Sequence, residues 1–363
     1  MSHTSRLPPG APAVAWSDPS RQAAFERWAQ AIAAQHGIDW LTLVPASADA
    51  SFRRYLRVQT ATGSLIVMDA PPPQEDTRPF VHVAGLLAEA GLHAPRVREA
   101  ELEQGFLLLD DLGSELYLAA LQAAQQQGDH RRADELMRDA IAALTRLQLG
   151  VDARALPPFD EALLRRELDL FPTWCVVREH GLVWGDAERN AWQRVTDALV
   201  ASALAQPVVA VHADWMPRNL MVCDDAGGGR NPGVLDFQDA VAGPLTYDMA
   251  SLLRDAFISW PEEQELDWAV RWWQASRAAG LPVSDDFGEC WRALEWMGLQ
   301  RHLKVLGIFC RLKHRDGKAG YAADLPRFFA YATKVAMRYR PLAPLVRLLE
   351  PMSQQSVAAG YTF

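Results

Sequence analysis

The most constraining feature of this chain is a cluster of short apolar segments wrapped around two acids and an amide. Pro207-Val208-Val209-Ala210-Val211 reads as a buried strand that delivers His212-Ala213-Asp214-Trp215-Met216-Pro217-Arg218-Asn219. Leu220 to Cys223 reads as a second strand. Asp224 to Asn231, with its glycines, reads as a hairpin turn, and Gly233 to Leu235 returns a third strand into Asp236. Any fold that accepts this pattern must hold a β-hairpin with Asp214, Asn219 and Asp236 near its strand ends. Capping or turn-forming roles are the plain reading of such residues, but their order and strand context favour chemistry. One acid can take a hydroxyl proton, while an amide and a second acid can hold magnesium against phosphates.

The 363 residues exceed one simple core and suggest two lobes. A formal net charge of -9 argues against a nucleic-acid partner, which calls for a basic face. No apolar run approaches a membrane span, and Met1 to Gly10 lacks the pattern of a signal peptide. Cys175, Cys223, Cys290 and Cys310 have no zinc-site spacing and read as reduced, mostly buried thiols. Together these features predict a cytoplasmic protein with no membrane association and no obligate protein partner.

Along the chain, Asp18-Pro19 reads as a helix start and Gly37 as its end. Strands are predicted at Leu41 to Ala46, Phe52 to Thr60 and Ser64 to Asp69. A helix follows from about Pro79 to Ala90, then strands at Arg96 to Glu101 and Gly105 to Leu109. Beyond Asp110-Asp111-Leu112-Gly113 the pattern is almost wholly helical, the hairpin apart. The predicted division is therefore 1–109, a short connector at 110–113, and 114–363.

Protein kinases write this polar set as H-R-D-x-x-x-x-N followed by D-F-G. With Ala213 at the Arg position and Leu235-Asp236-Phe237-Gln238-Asp239 around the second acid, the chain resembles the aminoglycoside phosphotransferase superfamily, small-molecule relatives of protein kinases. The runs Val67 to Pro73, Gly105 to Gly113, Gly233 to Phe257 and Arg301 to Phe309 resemble, more narrowly, the bacterial anomeric kinases for N-acetylmuramate and N-acetylglucosamine. The resemblance extends over most of the chain. It implies an α+β, bilobal protein-kinase-like fold: a small five-stranded β N-lobe with one inserted helix, and a larger, mainly helical C-lobe. It also implies ATP and Mg2+ as cofactors and a small amino sugar as acceptor. The product would be a sugar 1-phosphate feeding UDP-sugar synthesis in peptidoglycan recycling.

On this resemblance Asp214 is the catalytic base, and Asn219 and Asp236 are the metal ligands. The 110–113 connector becomes a hinge, with Leu109 and Asp111 at the nucleotide. The strand-three lysine of kinases is missing, since Leu65-Ile66-Val67-Met68-Asp69-Ala70 has none. Strand alternation puts Arg54 on a face with Phe52 and Leu56, which suits an arginine reaching under the roof to phosphates in the lysine's place. Ser51, in the turn before it, could cap phosphate oxygens. A lactyl carboxylate calls for a cation, for which Arg218 is the first candidate and Arg254 the second. Asp239 is placed at substrate or metal. His212 reads as a buried hydrogen-bonding scaffold and Asp248 as a buttress of the loop. Arg301, Lys304 and Arg311 recur at near-helical spacing opposite an apolar stripe and read as a solvated helix face. Two other readings stand: an aminoglycoside or other small-alcohol phosphotransferase, and a catalytically silent nucleotide-binding regulator. Retention of all three polar groups counts against the second.

Overall fold

The computed structural model describes residues 14–16, 18–48, 52–223 and 231–359. Its contacts divide the chain into two compact units. The first takes Met1–Glu115 and Met221–Asp239, the second Leu116–Leu220 and Ala240–Phe363. The hairpin segment from Met221 thus groups with the N-terminal unit, not with the 114–363 lobe. The reason lies in its bonds. The Val222 amide donates to the Glu115 carbonyl at 2.8 Å and the Val234 amide to the His93 carbonyl at 2.7 Å. Phe237 also packs on Phe80, ring centroids 4.6 Å apart.

In the first unit, α1 (Pro19–His36) begins where the Asp18 carboxylate accepts from the Ser20 amide, and it ends at Gly37, φ 58°. Five antiparallel strands follow: β1 (Ile38–Ala48), β2 (Arg54–Thr60), β3 (Gly63–Asp69), β4 (Val97–Glu101) and β5 (Phe106–Asp110), with α2 (Arg78–Glu89) between β3 and β4. Their order in the sheet is β1-β2-β3-β5-β4. This is the five-stranded set with one inserted helix that the sequence predicts. Phe25, Ala29 and Ile32 give α1 one apolar stripe, which buries Leu56, Val58, Val67, Phe106 and Leu108 on one face of the sheet.

The register of β2 against β3 sets the arginines. Arg54 lies directly across from Asp69, and Arg57 across from Ile66. Arg54 therefore shares the α1 face with Leu56 and Val58, and its Nε donates to Asp69 Oδ2 at 3.0 Å. Arg21 of α1 donates to the other carboxylate oxygen from Nε at 2.9 Å and from Nη2 at 2.6 Å. The Arg54 guanidinium lies over Trp16, 4.4 Å from the ring centroid. This corrects the placement of Arg54 on a phosphate face: its guanidinium closes the α1 side of the sheet. Arg57, on the opposite face, donates to both oxygens of Asp111 at 2.5 and 3.0 Å and to the Gly113 carbonyl at 2.7 Å.

The second unit is helical around one long element. Its helices are α3 (Tyr117–Gln127), α4 (His130–Gly150), α5 (Glu161–Leu168), α6 (Asp186–Leu204), α7 (Tyr247–Leu253), α8 (Glu262–Ala278), α9 (Phe287–Asp316), α10 (Leu325–Arg338) and α11 (Pro344–Ala359), with a π-helical turn at Phe171–Glu179. Between α6 and α7, β6 (Val208–Val211) pairs antiparallel with a strand at Val241–Pro244 that the sequence reading did not include. The segments Leu220–Met221 (β7) and Gly233–Val234 (β8) form a two-stranded ribbon, which makes Val241–Pro244 β9. No helix among the described residues is long and apolar enough to cross a membrane.

The centre of α9 is buried on every side, including Glu295, Gln300, Arg301 and His302. Gly307 lets it approach the π-helical turn: a Cβ there would stand 2.5 Å from the Leu170 carbonyl carbon. Arg254, just after α7, donates to Glu265 of α8 at 3.1 Å and to Glu295 of α9 at 3.0 Å, all three buried. That corrects the assignment of Arg254 to substrate, because its charge is committed to helix packing.

Asp69, with a side chain only 2% exposed, offsets two guanidiniums at once. Asp69→Ala should leave both without a carboxylate and destabilise the first unit by about 3 kcal/mol or more. Urea unfolding followed by the fluorescence of this tryptophan-bearing unit measures it.

Candidate active site

Strand β6 carries the chain into the loop at His212, and the loop is tied down residue by residue. Both oxygens of Asp248, at the start of α7, accept backbone amides: His212 at 2.6 Å and Ala213 at 3.1 Å. Ala213 has φ 75°, a left-handed conformation that costs an alanine about 1 kcal/mol and persists only where the surroundings fix it. The buried His212 accepts the Asp214 amide on Nδ1 at 3.3 Å and meets Trp215 edge-on, centroids 5.4 Å apart. That amide contact leaves Nε2 as the protonated ring nitrogen. A 3-10 turn at Pro217–Asn219 follows, and Asn219 Nδ2 donates back to the Asp214 carbonyl at 3.0 Å. The side-chain amide is thereby oriented, with Oδ1 as the end that could meet a cation.

Around the Asp214 carboxylate the second unit supplies an unforeseen cation. Arg301 donates from Nη2 to Asp214 Oδ1 at 3.2 Å, and from Nη1 to the Ala213 carbonyl at 3.1 Å and the Tyr247 hydroxyl at 3.3 Å. Lys304, one turn on, donates to the same hydroxyl at 3.1 Å and pairs with Glu167 at 2.5 Å. Arg301 and Lys304 are thus not a solvated face. Burial disfavours charge on both, yet Tyr247 together with Asp214 (for Arg301) or Glu167 (for Lys304) holds both above their ordinary range. The sequence signal was present in α9, whose apolar residues surround the helix instead of keeping to one stripe.

Two acids near the loop are buried. Burial pushes Asp248 up to about 7, against the pull of the His212 and Ala213 amides and of Arg301. Burial likewise pushes Asp255 up to about 6, with Arg301 and Arg218 opposing it. Arg218 is exposed and lies 4.8 Å above the centroid of Phe257.

In the first unit Asp236 has φ 60°, and its carboxylate lies 3.7 Å from Arg53 Nη2. Arg53, just before β2, and not Arg54, is the arginine beside this acid. Gln238 donates to both Asp236 at 3.0 Å and the exposed Asp239 at 3.1 Å. Leu109 is buried in β5. Asp111 is spent on structure: burial disfavours its charge, but Arg57, Ser64 and the Gly113 amide outweigh that and hold its carboxyl below the ordinary range. Ser51 lies outside the described residues. Among the described residues no three His, Cys, Asp or Glu side chains gather as a metal cage. Carboxylate and amide oxygens are donor types that suit magnesium, which keeps several waters and binds through few protein groups and substrate phosphates.

The Asp248 shift has a pH consequence. A carboxyl raised from about 4 unfolded to about 7 folded binds its proton more tightly in the native state, so its contribution to stability falls as pH rises across that window. Asp248→Asn should remove this slope. Melting temperatures of the two proteins, compared at about pH 5 and about pH 8, should show the wild type losing ground to the variant as pH rises.

The sequence profile of the phosphotransferase enzyme family matches residues 42–287. A protein of Pseudomonas putida named N-acetylmuramate/N-acetylglucosamine kinase is 53% identical over 309 residues, covering 85% of this chain and 87% of that one. Proteins of the same name from Pseudomonas aeruginosa and Neisseria meningitidis are 51% and 44% identical, covering 87% and 94% of this chain and 90% and 99% of theirs. Among solved structures, an ethanolamine kinase of Plasmodium vivax superimposes with a TM-score of 0.58 at 11% identity, over 87% of this chain and 89% of that one. The GDP complex of aminoglycoside 2'-phosphotransferase-IIIa gives 0.56 at 13% identity, over 84% and 97%. At such identities the structural neighbours speak for the fold alone, whereas the profile and the near full-length relatives speak for descent, and they make this chain a member of the phosphotransferase enzyme family.

Proposed function

We propose that the protein transfers the γ-phosphoryl group of ATP to the C1 hydroxyl of N-acetylmuramate and N-acetylglucosamine. What carries this reading is the 53% identity, over 85% of the chain, with a relative named for both sugars. The anchored yet accessible Asp214, its side chain 44% exposed, agrees with it. The anomeric hydroxyl is more acidic than an ordinary alcohol, so a well-placed carboxylate suffices as base. In the step, Asp214 takes the hydroxyl proton, the C1 oxygen forms a bond to the γ-phosphorus, and the bond to the β–γ bridging oxygen breaks to release ADP. Asn219 and Asp236 are the residues that would hold magnesium, which supplies neutralising charge to the phosphates when bound. Arg218, exposed over Phe257, is the cation we assign to the lactyl carboxylate of N-acetylmuramate. The 1-phosphate would then enter UDP-sugar synthesis in cell-wall recycling.

Asp214→Asn should lower kcat by about 10² or more with nucleotide binding retained. Coupled ADP release over a panel of amino sugars, choline and aminoglycosides tests the acceptor, and near-wild-type turnover in the variant would remove Asp214 from the role. Phosphorus–proton coupling to the anomeric proton of the product supports C1, and a 6-phosphate product contradicts it. Asp236→Ala should abolish the magnesium dependence of ATP affinity, read from titrations at varied magnesium.

A further inference from the structure

We propose that Arg301 is a positioning residue for Asp214: it selects which carboxylate oxygen receives the substrate proton. The inference rests on the reading of Asp214 as base. Arg301 sits mid-helix in α9 with a side chain only 8% exposed, a costly place for a guanidinium unless its donors are used. They are used on the loop. One nitrogen binds Asp214 Oδ1, and the other binds the carbonyl of the strained Ala213 and the Tyr247 hydroxyl. The fork therefore reads the carboxylate and the backbone just before it as one unit. With Oδ1 turned into the protein, Oδ2 is the oxygen left to approach a hydroxyl.

Behind the guanidinium the arrangement is matched. The Tyr247 hydroxyl accepts from both Arg301 and Lys304, and Glu167 balances Lys304. Tyr247 thereby fixes the rotamer of Arg301 without neutralising it. The charged and titratable groups facing the loop are Asp248 and Tyr247 from α7, Arg301 and Lys304 from α9, Glu167 from α5, and Asp255 with Arg218 beside Phe257. Of these, Arg301 is the cation that ion-pairs with the Asp214 carboxylate.

The test compares kcat and sugar KM of wild type, Arg301→Gln and Arg301→Lys. Melting curves and nucleotide binding report whether each variant is folded. Arg301→Gln should lower kcat by about 10- to 100-fold with a far smaller change in sugar KM. Arg301→Lys should recover only part of kcat, since a point charge cannot hold together the three oxygens the fork reaches. Tyr247→Phe keeps the charge and removes the acceptor, so it should lower kcat mildly with sugar KM unchanged, and it serves if the Arg301 variants do not fold. Combining Arg301→Gln with Asp214→Asn should cost little beyond Asp214→Asn alone. A loss confined to sugar KM in Arg301→Gln, no recovery of kcat in Arg301→Lys, or a full additive loss in the double variant would overturn the proposal. An active Asp214→Asn would instead overturn the base itself.

Discussion

The site depends on holding one strained backbone unit, the peptide of Ala213, from both ends. Its amide is bound by a carboxylate from α7 and its carbonyl by a guanidinium from α9, so opposite charges act on opposite poles of one residue. Neither helix bond alone would fix the plane of the turn. Together they over-determine it, which is how a left-handed alanine persists against its intrinsic cost. The carboxylate of Asp214 inherits its direction from that turn, and Trp215, fully buried behind it, stops the loop from rolling.

The long helix α9 explains why so much charge is tolerated inside. Its buried middle carries two separate polar groups of neighbours. Glu295 gathers Arg254, Arg338 and the Tyr339 hydroxyl, joining the end of α7 to α10, and Arg254 carries the link on to Glu265 of α8. Arg301 and Lys304, roughly two turns later, face the loop through Tyr247. Buried ion pairs of this kind are poor sources of net stability, but they punish misalignment severely. Here they set the rotation and the axial position of one helix with respect to a loop.

Most of the fold was legible because it is written in local periodicity. The caps of α1 at Asp18 and Gly37, the strand alternation, and the loop with its two acids all follow from rules that look a few residues either way. What was illegible needed register or burial. Arg54 was assigned to a phosphate face because alternation fixes which residues share a face but not what covers it. The pairing with Asp69 depends on the β2–β3 register, and the cover is a helix from earlier in the chain. Arg254 lost its assigned role for a similar reason, since its partners lie eleven and forty-one residues away on other helices. Arg301 was misread because a charged residue at helical spacing usually means solvent, and only the apolar residues all around α9 argue otherwise. Strand β9 escaped because four residues containing Gly243 and Pro244 carry little strand propensity of their own.

Gly307 shows how a distant position can be tied to this chemistry through inheritance. A side chain there meets backbone, not a flexible tip that could swing aside, so α9 itself would have to give way. The helix forgoes about 1 kcal/mol of intrinsic propensity by keeping glycine in its interior. Because Arg301 rides the same rigid rod less than two turns away, a displaced rod carries the guanidinium with it. An allele altered at this codon would therefore look, to a geneticist, like damage to the Asp214 loop, although it lies far from that loop in the sequence.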